Sequence, residues 1–250
     1  MYHDVYNSEV SESGFQNIGA INYKISRQSF DIQISELSYL CKNKKMENKN
    51  VCLTFDDGGI SFLTVIAPIL EKYGFTGYFF ITTKLINSVG FLTSDDILEL
   101  DRRGHIIGTH SHSHPKNISA LSDSEIELEW VKSINILEDI LKKPIEYASI
   151  PGGFYSRVSA KILFSIGIKA IFTSNPSTVV KLVGTKMIIG RYSVTQDMTT
   201  KDVTEILNPY SLIRLEKTIK WNMLKLLKLI LGEYYFILRN NLIRTKKTEE

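Results

Sequence analysis

Between residues 50 and 195 the chain alternates short, apolar, β-rich runs with longer helical segments, and this alternation constrains the fold more than any other feature of its 250 residues. Parallel strands must be joined by long crossovers, usually helices, so the pattern specifies an α/β architecture built on a parallel sheet. Strands are predicted at Val51–Phe55, Thr76–Ile81, Ile106–Thr109, Glu146–Ile150, Ile168–Thr173 and Met187–Tyr192. Helices are predicted at Ser61–Tyr73, Ser94–Arg103, Ser122–Lys142 and Ser156–Ile166, with a further one around Phe30–Lys42. Several open on Ser or Thr where an N-cap belongs, and Thr93 with Asp96 and Ser122 with Glu125 have the spacing of capping boxes. A chain of this size buries roughly three-quarters of its unfolded surface, so it needs neither disulfides nor a structural metal to hold a core. Cys41 and Cys52 lack CxxC spacing and are expected to be reduced packing residues.

The two ends read differently. The first 50 residues are less regular, and Lys42–Asn50 is polar enough to be a surface loop. From Arg214 onward there are nine Lys and Arg against four Asp and Glu, so the net charge of +3 conceals a slightly acidic body without a nucleic-acid footprint. Residues 1–211 are expected to form the α/β body, and 212–250 a basic amphipathic helix with a basic tail. Over Leu212–Leu231, Arg214, Lys217, Lys220, Lys225 and Lys228 share one arc, with Leu215, Ile219, Met223, Leu226, Leu227 and Ile230 opposite. Such a helix suits either peripheral contact of 212–231 with an anionic membrane surface or packing of its apolar face on the body with the lysines solvated. The stretch beginning Met1-Tyr2-His3-Asp4 has neither the basic start nor the apolar run of a secretory signal. The expectation is a cytoplasmic chain, peripheral at the inner membrane surface if the helix docks there.

Acids and histidines concentrate in three places: Asp56-Asp57-Gly58-Gly59 after one predicted strand, His110-Ser111-His112-Ser113-His114 after another, and His3-Asp4. Ends of parallel strands face a common crevice, so the first two can converge. Two adjacent carboxylates there favour a cation, and imidazoles can complete its shell. On a turn His110 and His114 project together and His112 points away. On a continuous strand all three would share a face.

The run Thr54-Phe55-Asp56-Asp57-Gly58, followed by His110-Ser111-x-x-His114, resembles the polysaccharide deacetylases, the carbohydrate esterases built on the nodulation-type deacetylase domain. The resemblance spans roughly residues 50 to 175. It implies an irregular (β/α) barrel with fewer than eight repeats, and a divalent ion, first Zn2+ with Co2+ or Ni2+ as alternatives, held by Asp57, His110 and His114. It makes Asp56 the general base. The implied substrate is a carbohydrate carrying N-acetyl groups, in a polysaccharide or a lipid-linked precursor.

Two departures from the family pattern stand out. No histidine follows His114 to act as the late general acid; Tyr2-His3-Asp4-Val5 resembles that motif moved to the front, as in circularly permuted exopolysaccharide-type members, which makes His3 the acid and Asp4 its orienting partner. The arginine before the Pro-Gly loop is replaced by Ser149 in Ser149-Ile150-Pro151-Gly152-Gly153-Phe154-Tyr155. Arg191 either reaches the same crevice or is a surface residue. Pro151, Gly152 and Gly153 would let backbone approach the substrate, with Gly153 near an oxyanion N–H, and Tyr155 either lines a sugar groove or caps the core. Trp130 is expected to pack rather than stack on sugar, and His105 and His112 to stand outside the metal shell. The missing family residues prompt one rival reading, a catalytically impaired homologue that binds carbohydrate or a partner. A second keeps the mechanism but changes the amide, a C–N amidohydrolase acting on a non-sugar amide, since the resemblance extends to relatives of this fold that hydrolyse other C–N bonds.

Overall fold

In the computed structural model, which describes residues 1–43 and 51–231, each predicted strand lies within or across an observed one. The chain opens with β1 (Val5–Tyr6), α1 (Ile18–Ile21), β2 (Ile25–Ser26) and α2 (Arg27–Asn43). The alternating core follows: β3 (Leu53–Phe55), a π-type turn at Phe62–Ile66 running into α3 (Ala67–Lys72), β4 (Gly77–Ile81), α4 (Ser94–Arg102), β5 (Ile106–Thr109) and α5 (Asp123–Leu141). Next come β6 (Tyr147–Ser149), α6 (Arg157–Ser165), β7 (Ala170–Phe172), β8 (Val180–Val183) and β9 (Lys186–Ile189), then α7 (Thr200–Glu205) and α8 (Leu212–Leu231). Most of the loop expected at Lys42–Asn50, and the basic tail beyond Leu231, lie outside the described residues.

Seven strands form a curled sheet in the order β3-β4-β5-β6-β7-β9-β8, parallel throughout except for the β8–β9 hairpin. Strand β8 carries no burial signal because all four of its residues are exposed. What makes it a strand is the tight turn that places Gly184 at φ 61°, a conformation glycine adopts freely. Both capping boxes are present: Thr93 and Asp96 open α4, and Ser122 and Glu125 open α5. The core between sheet and helices is aromatic, with Phe55, Phe62 and Phe79 in mutual contact and Trp130 fully buried, its indole N–H donating to Ser159 Oγ at 3.0 Å. Cys41 is buried as expected, but Cys52 is exposed rather than packed, and the two form no disulfide.

The first residues complete the sheet's open side. Tyr2 pairs with Phe55 as a parallel bridge; its N–H donates to Thr54 O at 2.8 Å and its carbonyl accepts from Asp56 N at 3.1 Å. Across the gap, Val194 N donates to Met1 O at 2.9 Å. Side chains alternate along such a segment, so Tyr2 and Asp4 turn one way, Tyr2 onto Phe30 and Phe55, while His3 turns the other.

Helix α8 packs opposite to the solvated-lysine arrangement. Its basic side meets the body: Arg214 Nε donates to Ile206 O at 2.8 Å with its guanidinium over Tyr192, and Lys217 Nζ donates to Ser193 O at 3.1 Å. The apolar side, Leu212, Leu215, Ile219, Met223, Leu226 and Ile230, is exposed. Among the described residues no helix is long and apolar enough to cross a membrane.

Candidate active site

The C-terminal ends of β3 and β5 deliver the two motifs to one crevice. Asp57 follows β3 at φ 90°, a strained conformation for a residue with a Cβ, and this turn aims its carboxylate into the crevice. After β5 the chain leaves the strand at once, with Ser111 at φ 66° and His114 at φ 55°. The three-histidine strand face is therefore not what forms. His112 instead places Nδ1 3.0 Å from Thr83 Oγ1, away from Asp57.

Asp57 Oδ1 lies 3.5 Å from both His110 Nε2 and His114 Nε2, and the three ligand atoms all fall within 4.8 Å of one another. Donor atoms sharing a tetrahedral ion at about 2.1 Å sit about 3.4 Å apart, so the carboxylate-to-imidazole spacings fit a small divalent cation better than a direct hydrogen bond. His110 Nδ1 is 2.9 Å from Ser149 O, which can only accept, so Nδ1 carries the proton and Nε2 presents its lone pair to the cluster. Burial opposes charging of His110, but the Asp56 and Asp57 carboxylates outweigh it and raise its pKa. His114 is pushed down by burial. Burial works against the Asp57 anion too, yet the His110 imidazole beside it, with those of His3 and His114, holds its pKa below the ordinary value.

Asp56 is bound quite differently. Arg191 clamps both of its oxygens, Nη1 to Oδ1 at 2.7 Å and Nη2 to Oδ2 at 2.8 Å, and the pair is almost fully buried. The remaining guanidinium donors reach Thr54 Oγ1 at 3.1 Å, Ser149 Oγ at 2.7 Å and Thr173 O at 3.2 Å, so all five are used. The rings of Phe80 and Phe172 flank the guanidinium at 5.6 and 5.8 Å. Arg191 is thus no surface residue. Ser149 belongs to the same network, since its hydroxyl accepts from Arg191 and donates to Asp56 Oδ2 at 3.0 Å. Burial alone would raise the Asp56 pKa, but the Arg191 and His110 charges hold it far below the usual carboxylate range.

His3 reaches the crevice without the support expected for it. Its ring packs 4.6 Å from Tyr23, and its buried Nδ1 has no hydrogen-bond partner. Asp4 does not orient it, because strand alternation turns Asp4 to the other side, where Oδ1 accepts from Ser13 Oγ at 2.6 Å and Ser61 Oγ at 3.0 Å. Burial lowers the His3 pKa, and the Asp57 and Asp56 charges pull it partly back.

The loop after β6 contributes less backbone than its glycines suggest. Pro151 is buried, and Gly153 N donates back to Ile150 O at 3.4 Å, so this N–H is not aimed at an oxyanion. Gly152 and Gly153 adopt φ 59° and 72°. Tyr155 is partly exposed and lines a cavity of about 630 Å³ together with Gly153, Asn175, Trp221 and Lys225, bordered by Thr173 and Gly190 beside the Arg191 network. His105 is structural, its Nδ1 accepting from Gly77 N at 3.1 Å and its Nε2 lying 3.1 Å from Glu71.

A family model described as polysaccharide deacetylase matches residues 43–171. The peptidoglycan-N-acetylmuramic acid deacetylase PdaA of Bacillus subtilis is 29% identical over 130 residues, 51% of this chain and 48% of that protein. The chain spans half or less of the length of the curated relatives it matches. Among solved structures, the Streptococcus pyogenes deacetylase PplD in complex with acetate superposes with a TM-score of 0.66 at 22% identity, covering 83% of this chain and 96% of that one. IcaB from Ammonifex degensii gives 0.60 at 18% identity, covering 82% and 96%. At these identities the structural likenesses are likenesses of fold.

Proposed function

The chain belongs to the polysaccharide deacetylase family, and from that premise we propose that it is a metal-dependent deacetylase hydrolysing the acetamide of N-acetylated amino sugars in a polysaccharide or a lipid-linked saccharide precursor. The observation that carries this reading is the convergence of Asp57, His110 and His114 on one small space, with Asp56 ionised and clamped beside it. When bound, a divalent cation, Zn2+ or alternatively Co2+ or Ni2+, would polarise the acetamide carbonyl and make a water molecule more acidic. Asp57, His110 and His114 would hold it, with the Ser149 carbonyl fixing the His110 tautomer.

Asp56 then takes the proton of the attacking water. A carboxylate held by a guanidinium is a weak base, so its usefulness rests on position rather than basicity, and Arg191 with Ser149 supplies the position. His3, on the first strand-like segment, gives a proton to the departing amine. Burial lowers its pKa, so the proton it gives depends on the Asp57 and Asp56 charges, which pull that pKa back up. The packing of residues 1–3 between β3 and the chain after β9 supports the reading of a motif moved to the front. Tyr155 and the neighbouring cavity offer room for further sugar units.

Reading the chain as an impaired binding homologue draws on the absent arginine. Arg191 clamps Asp56 in the way that reading requires nothing to do, which favours the catalytic alternative. The test is acetate release from N-acetylglucosamine oligomers, peptidoglycan fragments and simple acetamides by protein loaded with Zn2+, Co2+ or Ni2+. Asp56→Asn should retain the metal and lose about 10²–10⁴-fold in rate, whereas His110→Ala should lose the metal itself. No acetate from any sugar substrate, with metal bound, would reject the deacetylase reading; release from simple acetamides alone would move it to non-sugar amides.

A further inference from the structure

Among the described residues, most of the large apolar side chains that stay exposed lie on two elements, α8 and β8. On α8 the exposed residues are Leu212, Leu215, Ile219, Met223, Leu226, Leu227 and Ile230. At 100° per residue they cover about a third of the helix circumference. On β8 and just before it, Val179, Val180, Leu182 and Val183 are exposed. Both elements border the cavity that holds Tyr155 and Trp221. A contiguous apolar strip of this length is unusual on a soluble monomer and marks an interaction surface.

Packing explains why the strip is outside. Arg214, Lys217 and Trp221 hold α8 to the body through Ile206 O, Ser193 O and the Gly153 loop, so the helix's polar side is occupied and its apolar side faces away. Charge then selects among occupants. Within α8 five basic residues stand against the single acid Glu216, and Lys220 and Lys225 remain exposed. A second copy of the chain would bring like charges together along both helices, and Glu216 falls within the apolar strip where a helix pair would have to bury it. An anionic bilayer surface instead takes the apolar strip into its interface and attracts the exposed lysines, and Glu216, just past the first turn, keeps access to water.

We propose that the exposed apolar face of α8, with Lys220 at its margin and the exposed Lys225 lining the neighbouring cavity, docks on an anionic lipid surface. The proposal stands apart from the deacetylase reading, since it concerns binding and not turnover. It places the cavity and the crevice beside the lipid, where an acetylated saccharide on a lipid carrier could reach both.

Sedimentation of the whole chain with vesicles tests it. Vesicles of phosphatidylcholine with about one-third phosphatidylglycerol should carry the protein down at 0.1 M salt, pure phosphatidylcholine should not, and 0.5 M salt should weaken the binding severalfold. The double substitution Ile219→Asp with Met223→Asp should reduce the bound fraction at least tenfold while leaving thermal unfolding and metal binding unchanged. Lys220→Glu with Lys225→Glu should reduce it several-fold without disturbing the apolar face. Absence of binding to the anionic vesicles overturns the proposal. So does binding that survives both pairs of substitutions, or a dimer in solution that the Ile219/Met223 pair dissociates and lipid does not displace.

Discussion

Asp56 and Asp4 lie on segments that pair side by side, both almost fully buried, yet their surroundings drive their carboxyl groups in opposite directions. Asp56 has a guanidinium on both oxygens and is held ionised. Asp4 has only hydroxyls, from Ser13 and Ser61, and burial pushes its pKa up to about 6. The nearby Lys24 does not pair with it, because its ammonium donates to Val10 O, Ser13 O and Gln16 Oε1. A buried carboxylate with a matched cation is a fixed charge suited to orienting a reaction. One with only hydroxyls is a packing group whose ionisation costs stability. Gly14 and Gly59 show how tightly that packing is drawn: a Cβ added to either would come within 2 Å of an Asp4 oxygen.

The comparison breaks most readily at Arg191. Removing it leaves the Asp56 anion buried and uncompensated, so Arg191→Ala should cost about 3–5 kcal/mol of stability, with deacetylation falling at least in step with the Asp56→Asn loss. Arg191→Lys separates position from charge. It keeps a cation but cannot supply five fixed donors, so metal affinity should hold while kcat drops and KM changes little. Wild-type kcat in the lysine variant would show that charge alone suffices and would remove the positioning role. A smaller effect is expected at Gly59→Ala, whose Cβ would sit 1.9 Å from Asp4 Oδ1 and 2.6 Å from Ser13 Oγ. Overpacking of this kind costs about 1–3 kcal/mol, read as a lowered urea midpoint. If Gly59→Ala were as stable as wild type, the close packing around Asp4 would be no constraint.

Much of this site was legible in sequence, and the remainder was not for definable reasons. The positions of the six parallel strands, the capping boxes at Thr93 and Ser122, and the approach of Asp57 to His110 and His114 follow from local pattern and from the rule that strand ends converge. The Arg191–Asp56 clamp joins residues 135 positions apart, and no periodicity encodes it; only the position of Arg191 after the last parallel strand pointed to it. Ser149 looked like a loss and instead completes the clamp. Adjacency in sequence suggests Asp4 as a partner of His3, but alternation along a strand turns the two side chains to opposite sides. Strand β8 escaped because an exposed strand has no burial pattern, and α8 showed its two faces without showing which one the body would take.

The smallest expected effect is also the one with an unusual sign. Because folding raises the Asp4 pKa from 3.8 to about 6, the folded state holds a proton that the unfolded chain has already released between those pH values. The stabilising contribution is present in full below pH 4 and is lost as pH rises through 6, the reverse of an ion-paired aspartate such as Asp56. Asp4→Asn keeps an oxygen to accept from Ser13 and Ser61 and carries no charge at any pH. Relative to wild type it should therefore be near neutral at pH 4 and more stable by about 1–3 kcal/mol at pH 8. Paired urea titrations at several pH values measure that difference directly, with the other titrating groups common to both proteins. A variant less stable than wild type at pH 8 would mean that the Asp4 anion is paired after all, and the contrast between the two aspartates would fall with it.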